Sequence, residues 1–152
     1  MTRQPDFDVA AAHRFFAADC FNRAWELMDL EQRTSEQERL MTTLNQASIF
    51  HWQQRADCQP RHLSVGYWQA SRIQVLLDHA DDALRHAEVC LALSAELGPF
   101  YLGYANEAMA RAQALSNRLL PAAEYRHRAL ELAAQVVDAD ERQLLIDDLA
   151  TL

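Results

Sequence analysis

"DDALRHAEVCLAL", residues 81–93, is restated as "PAAEYRHRALEL", residues 121–132. At a shift of thirty-nine positions Ala83 falls on Ala122, Cys90 on Ala129, Leu91 on Leu130 and Leu93 on Leu132. Upstream, Arg72 falls on Arg111 and Leu76 on Leu115. An amphipathic helical hairpin cannot bury both of its apolar faces alone, whereas a second copy stacked beside it covers one of them. The repeated unit therefore reads as helix–turn–helix, used at 62–97 and again at 100–137. Small residues at 83, 87, 90, 122 and 129 let paired helices approach closely, with Leu91 and Leu130 expected to fill the core between them.

The bulk composition agrees with an all-α chain. Of the 152 residues half are hydrophobic, while Gly and Pro number only three and four. Ala and Leu, which lose little side-chain freedom in a helix, are abundant. A chain of this length buries roughly 70% of its unfolded surface, enough for one cored domain. The net charge of −8 repels a phosphate backbone, so nucleic acid is not an expected partner. Cys20, Cys58 and Cys90 are odd in number and far apart, which predicts free, buried thiols in a reducing cytosol. No apolar run approaches the roughly 20 residues that span a bilayer, so no membrane partner is expected and the location is read as cytoplasmic.

Helix signals divide the chain into seven helices, near 8–30, 35–55, 62–77, 82–97, 100–116, 121–137 and 140–149. Pro5, Pro60, Pro99 and Pro121 each precede a helical pattern, and Gly98-Pro99 is the clearest stop and restart. Ser35 with Glu38 reads as a capping box. Asp78 and Asn117 occupy equivalent sites before short turns, where Asp and Asn tolerate left-handed backbone. Residues 8–55 form a diverged first hairpin. Residues 140–150 read as a capping helix that covers the last hairpin with Leu145, Leu149 and Leu152 while its carboxylates, from 138 to 148, face water.

Between 62 and 137 the sequence resembles the tetratricopeptide-repeat (TPR) superfamily. Ser71 and Ala110 stand where the motif closes its first helix with a small residue. Ala83 and Ala122 match its early second-helix Ala, and Cys90-Leu91 and Ala129-Leu130 its later Ala-Leu pair. The thirty-nine-residue spacing exceeds the usual 34. The motif's Trp position falls on Tyr67 and Asn106, and its Gly before the second helix on Asp78 and Asn117. The resemblance implies about three antiparallel hairpins stacked as a short right-handed solenoid, with a peptide-binding concave wall lined by first helices. In this chain that wall carries Val65, Trp68, Arg72 and Val75, then Tyr104, Glu107, Arg111 and Ala114.

Each set repeats at i, i+3 or i+4, and i+7, and so shares one helical face. Two guanidinium forks beside Trp68 and Tyr104 suit a carboxylate next to an apolar side chain. A structural reading of the same residues pairs Arg72 with Glu107 between helices and Arg111 with Glu107 one turn away. The histidines offer a different chemistry. Glu124-x-x-His127 has the spacing of di-iron bundles but no second copy, and His13 and His51 would need a third His to hold a metal. His79 and His86 are read as surface residues, and Phe50 as core with His51 or Trp52 at an edge. No nucleophile elbow or glycine-rich phosphate loop is present.

The sequence therefore predicts a non-catalytic module that binds a peptide or protein segment through Trp68, Arg72, Tyr104, Glu107 and Arg111. It is expected to need no cofactor or metal, and self-association into a homo-oligomer is a further expectation. The alternative is a small helical-bundle metal-dependent enzyme using scattered His residues.

Overall fold

The computed structural model describes residues 4–152. Those residues form seven helices and no strand: α1 (Val9–Met28), α2 (Ser35–Gln53), α3 (Pro60–Leu76), α4 (Ala80–Ser94), α5 (Pro99–Leu115), α6 (Leu119–Gln135) and α7 (Ala139–Leu149). They divide into two compact units, the first ending at Gln59 and the second covering Pro60–Leu152. No helix among the described residues is long and apolar enough to cross a membrane.

In the first unit α1 and α2 run antiparallel, which brings Ser48 Oγ to donate to the Ala17 carbonyl at 2.6 Å. The seam is made by Ala17, Cys20 and Ala24 against Met41, Leu44, Ser48 and Ile49. The capping box of α2 lies one residue before the expected one. Thr34 Oγ1 accepts the Gln37 N–H at 3.2 Å and Gln37 Oε1 accepts the Thr34 N–H at 2.8 Å. Thr34-x-x-Gln37 and Ser35-x-x-Glu38 satisfy the same pattern, and the loop decides between them. Arg33 donates to the carbonyls of Leu27, Met28 and Leu30, closing the end of α1 and leaving Thr34 in extended backbone. Phe50 is exposed, contrary to expectation, while His51 and Trp52 are half-buried. The phase of α2 is set by Asn45, Ser48 and Ile49, and Phe50 lies about 100° beyond that stripe.

The second unit is organised around α5, which packs against α3, α4, α6 and α7. Every residue from Ala105 to Ala110 is buried, as are Gly103, Ala112 and Gln113. Its small side chains allow neighbours on several sides. Ala83 and Ala87 of α4 meet Ala108, Met109 and Ala112, while Ala129 and Ala133 of α6 form a second core with Leu145 and Leu149 of α7. Leu91 packs on the first of these cores. Leu130 does not pack as expected: Ala129 takes the inward position, and the next residue, rotated about 100°, faces out.

The turn signals act as the sequence predicts. Asp78 and Asn117 have φ of 62° and 57°, and Gly98, at φ 89°, caps α5 ahead of Pro99. Pro60 opens α3. Helix α6 starts two residues before Pro121, which still falls in the first turn, where no N–H has an intrahelical partner.

Candidate functional site

Three of the residues expected along the face of α3 and α5, Trp68, Arg72 and Arg111, converge on the buried carboxylate of a fourth, Glu107. Glu107 is 1% exposed, and both of its oxygens are occupied. Trp68 Nε1 donates to Oε2 at 2.9 Å, Arg72 Nη1 donates to Oε1 at 3.0 Å, and Arg111 Nε makes a short hydrogen bond to the same Oε1. Trp68 and Glu107 are repeat equivalents, as are Arg72 and Arg111. The thirty-nine-residue repeat thus places a donor pair on α3 against an acceptor and a donor on α5. The Arg72 guanidinium also lies over the Trp68 ring, 5.8 Å from its centroid, within the range of a cation–π contact.

A second carboxylate, which the sequence reading missed, closes the cluster. Asp148 of α7 accepts from Tyr104 Oη at 2.7 Å and from Arg72 Nη2 at 3.5 Å. Arg111 Nη2 donates to the Asp148 carbonyl at 2.8 Å and to Thr151 Oγ1 at 2.6 Å. The acidic segment 138–148 is therefore not wholly solvated. Asp148 flanks the stripe set by the buried Leu145 and Leu149, and that register was the available signal for its inward turn. Two guanidiniums and two carboxylates make the cluster neutral. Tyr104 packs edge-on against Trp68 at 5.5 Å and Phe100 at 5.2 Å. Burial, and then the hydrogen bond and charge of Asp148, push its hydroxyl well above the ordinary tyrosine range, so it stays a proton donor.

Gly103 explains how α7 comes so close to α5. A Cβ at that position would lie 2.6 Å from Leu145 Cδ2. A shallow dent between α3 and α5, lined by Trp68, Ser71, Arg72, Val75, Glu107, Ala108 and Arg111, has no room for a water molecule. The end of α7 covers part of this face, and Trp68, Arg72, Val75 and Arg111 stay half-buried beside it.

The histidines separate. His13 and His51 meet in the first unit, with their Nδ1 atoms 2.8 Å apart, so one ring must donate and the other accept. Burial, followed by the charge of His13, lowers the His51 pKa below its usual 6.5. His127 belongs to α6 of the second unit, is exposed and faces Glu131 at 3.4 Å. Among the described residues no three His, Cys, Asp or Glu side chains group as a metal site would require. His79 is exposed as expected, but His86 is half-buried with its ring 6.0 Å from that of Tyr67. The chain finds no match among family models, curated proteins or solved structures.

Proposed function

We propose that the chain is a non-catalytic interaction module with TPR-like architecture that holds a protein segment against α3 and α5. One observation carries this reading. The two repeat-equivalent arginines, with Trp68 and Tyr104 beside them, already hold a chain segment by its carboxylate, carbonyl and hydroxyl, that segment being the end of α7 and the turn that follows it. Arg, Trp and Tyr are the side chains that most often dominate binding energy, because they combine area with directed hydrogen bonds.

The test uses a photo-crosslinking residue at Val75, which is half-buried on the same face but has no part in the ion cluster, and a control at Glu124, exposed on α6. A defined adduct from Val75 and none from Glu124 is the expected outcome. Adducts that are equal at both sites, or absent from both, would remove the reading. A second reading, a helical-bundle metal enzyme, draws on the His13–His51 contact alone, and less than stoichiometric metal in purified protein would dismiss it.

A further inference from the structure

The seat between α5 and α6, with Arg72 of α3 at its rim, is filled by a helix whose chemistry can be read residue by residue. Leu145 and Leu149, one turn apart, are fully buried. Asp148 lies between them in sequence, and its carboxylate satisfies Tyr104 and Arg72 while its carbonyl satisfies Arg111. Without α7, Arg72 and Arg111 would share the single carboxylate of Glu107, leaving one guanidinium charge unmatched beside an apolar seat at Gly103. Only a segment that brings both a carboxylate and leucines restores neutrality and packing together.

The retention of α7 is local. It is an 11-residue helix, shorter than helices that are stable alone in water. Its connection to α6 is three residues with extended backbone at Val136 and Asp138, and Val137 is almost fully exposed. On its outer side Leu144 and Ile146 face solvent. Beside it Trp68, Arg72 and Arg111 are only half-buried, so part of the same surface is within reach of an incoming chain.

Building on the interaction-module reading, we infer that α7 is a built-in, displaceable occupant, and that the groove's partner is an acidic amphipathic helix carrying Leu-x-x-Asp-Leu or its Glu equivalent. A second copy of this chain is a poor competitor. A short linker holds the resident α7 at an effective concentration in the millimolar range, so an identical helix from another molecule gains nothing until it exceeds that concentration. The occupant is a different protein whose helix makes more of the same contacts.

The experiment measures binding of a fluorescent peptide spanning residues 138–152 to the full-length protein. The wild type is compared with a Leu145→Ala, Leu149→Ala variant, in which the resident helix is loosened and the groove residues are untouched. The variant is expected to bind the peptide at least tenfold more tightly than the wild type, and an Asp148→Asn peptide at least tenfold more weakly than the native one. A variant of normal helicity that shows no gain, or an Asp148→Asn peptide that binds equally well, overturns the inference.

Hydrogen exchange on the wild type gives an answer even where the variant fails to fold. Residues 141–149 are expected to exchange at least a hundredfold faster than 105–112, and equal protection overturns the displaceable helix. A dimer that exchanges α7 between copies would overturn the assignment to a different protein. Failure here together with a Val75 adduct leaves the interaction module standing without its helical ligand; failure of both removes both.

Discussion

Glu107 is the residue on which the second unit depends most. It is sealed from solvent with an indole N–H and two guanidiniums around it, and the side chains of Arg72 and Arg111 are themselves mostly buried, at 20% and 14% exposure. Removing one member of a buried ion pair leaves an uncompensated charge, at a cost of about 3–5 kcal/mol. Glu107→Ala is therefore expected to lower unfolding free energy by that amount in urea titration, a large share of the roughly 5–15 kcal/mol of a typical domain. A loss of less than about 1 kcal/mol would show that the cluster is not integral to the fold. Arg72→Glu with Arg111→Glu would set four carboxylates together and disrupt the unit, so those exchanges report on folding rather than on the groove. His51 contributes a pH dependence to the first unit. Its folded pKa is lowered, so the neutral ring stabilises the fold above the unfolded pKa, and that contribution is lost as pH falls through the folded value. The urea midpoint is expected to fall as pH drops from 7.5 to 5, with a shallower dependence in His51→Gln; identical slopes would reject the assignment.

At the scale of the elements, backbone geometry was the most legible part of the sequence. Asp78 and Asn117 announced the two tight turns because a left-handed residue is a local requirement that few side chains meet. Asn117→Val is expected to destabilise by roughly 1–2 kcal/mol, since a β-branched residue pays the full steric cost of that conformation, whereas Asn117→Gly should not destabilise. Thermal unfolding of both variants checks this, and equal melting temperatures would deny the turn its role. The convergence of Arg72, Arg111 and Glu107 was legible too: i, i+4 spacing pairs Arg111 with Glu107 on one helix, and the thirty-nine-residue repeat sets Arg72 at the equivalent position of the neighbouring one. What escaped were features decided by phase within an apolar run. Phe50 beside Ile49 and Leu130 beside Ala129 are indistinguishable by hydrophobicity, and only the partner helix chooses which one turns inward. Asp148 escaped for a related reason: an acidic run looks solvated until the register of Leu145 and Leu149 shows which carboxylate stands over a pair of arginines.

For the whole molecule, the two units differ in how they are held. The first is a two-helix seam of mostly small residues that leaves Phe15, Phe16 and Phe50 exposed, whereas the second wraps four helices around α5. Apolar area removed from water sets most of the favourable free energy, so the first unit is expected to open at lower denaturant than the second. The cysteines supply a separate reporter for each. Cys20 is buried in the first unit and Cys90 in the second, while Cys58 is partly accessible. Burial raises all three thiols, Cys90 to about 11 despite the hydrogen bonds of Ser64 and Ser94. At pH 8 a thiol with that pKa is about one part in a thousand thiolate, and so reacts only after the unit around it opens. With a disulfide reagent in rising urea, Cys58 is expected to react first without denaturant. Cys20 should follow at intermediate urea, and Cys90 only near global unfolding. Simultaneous reaction of Cys20 and Cys90 would overturn the expectation that the sparser seam of the first unit opens before the core around α5.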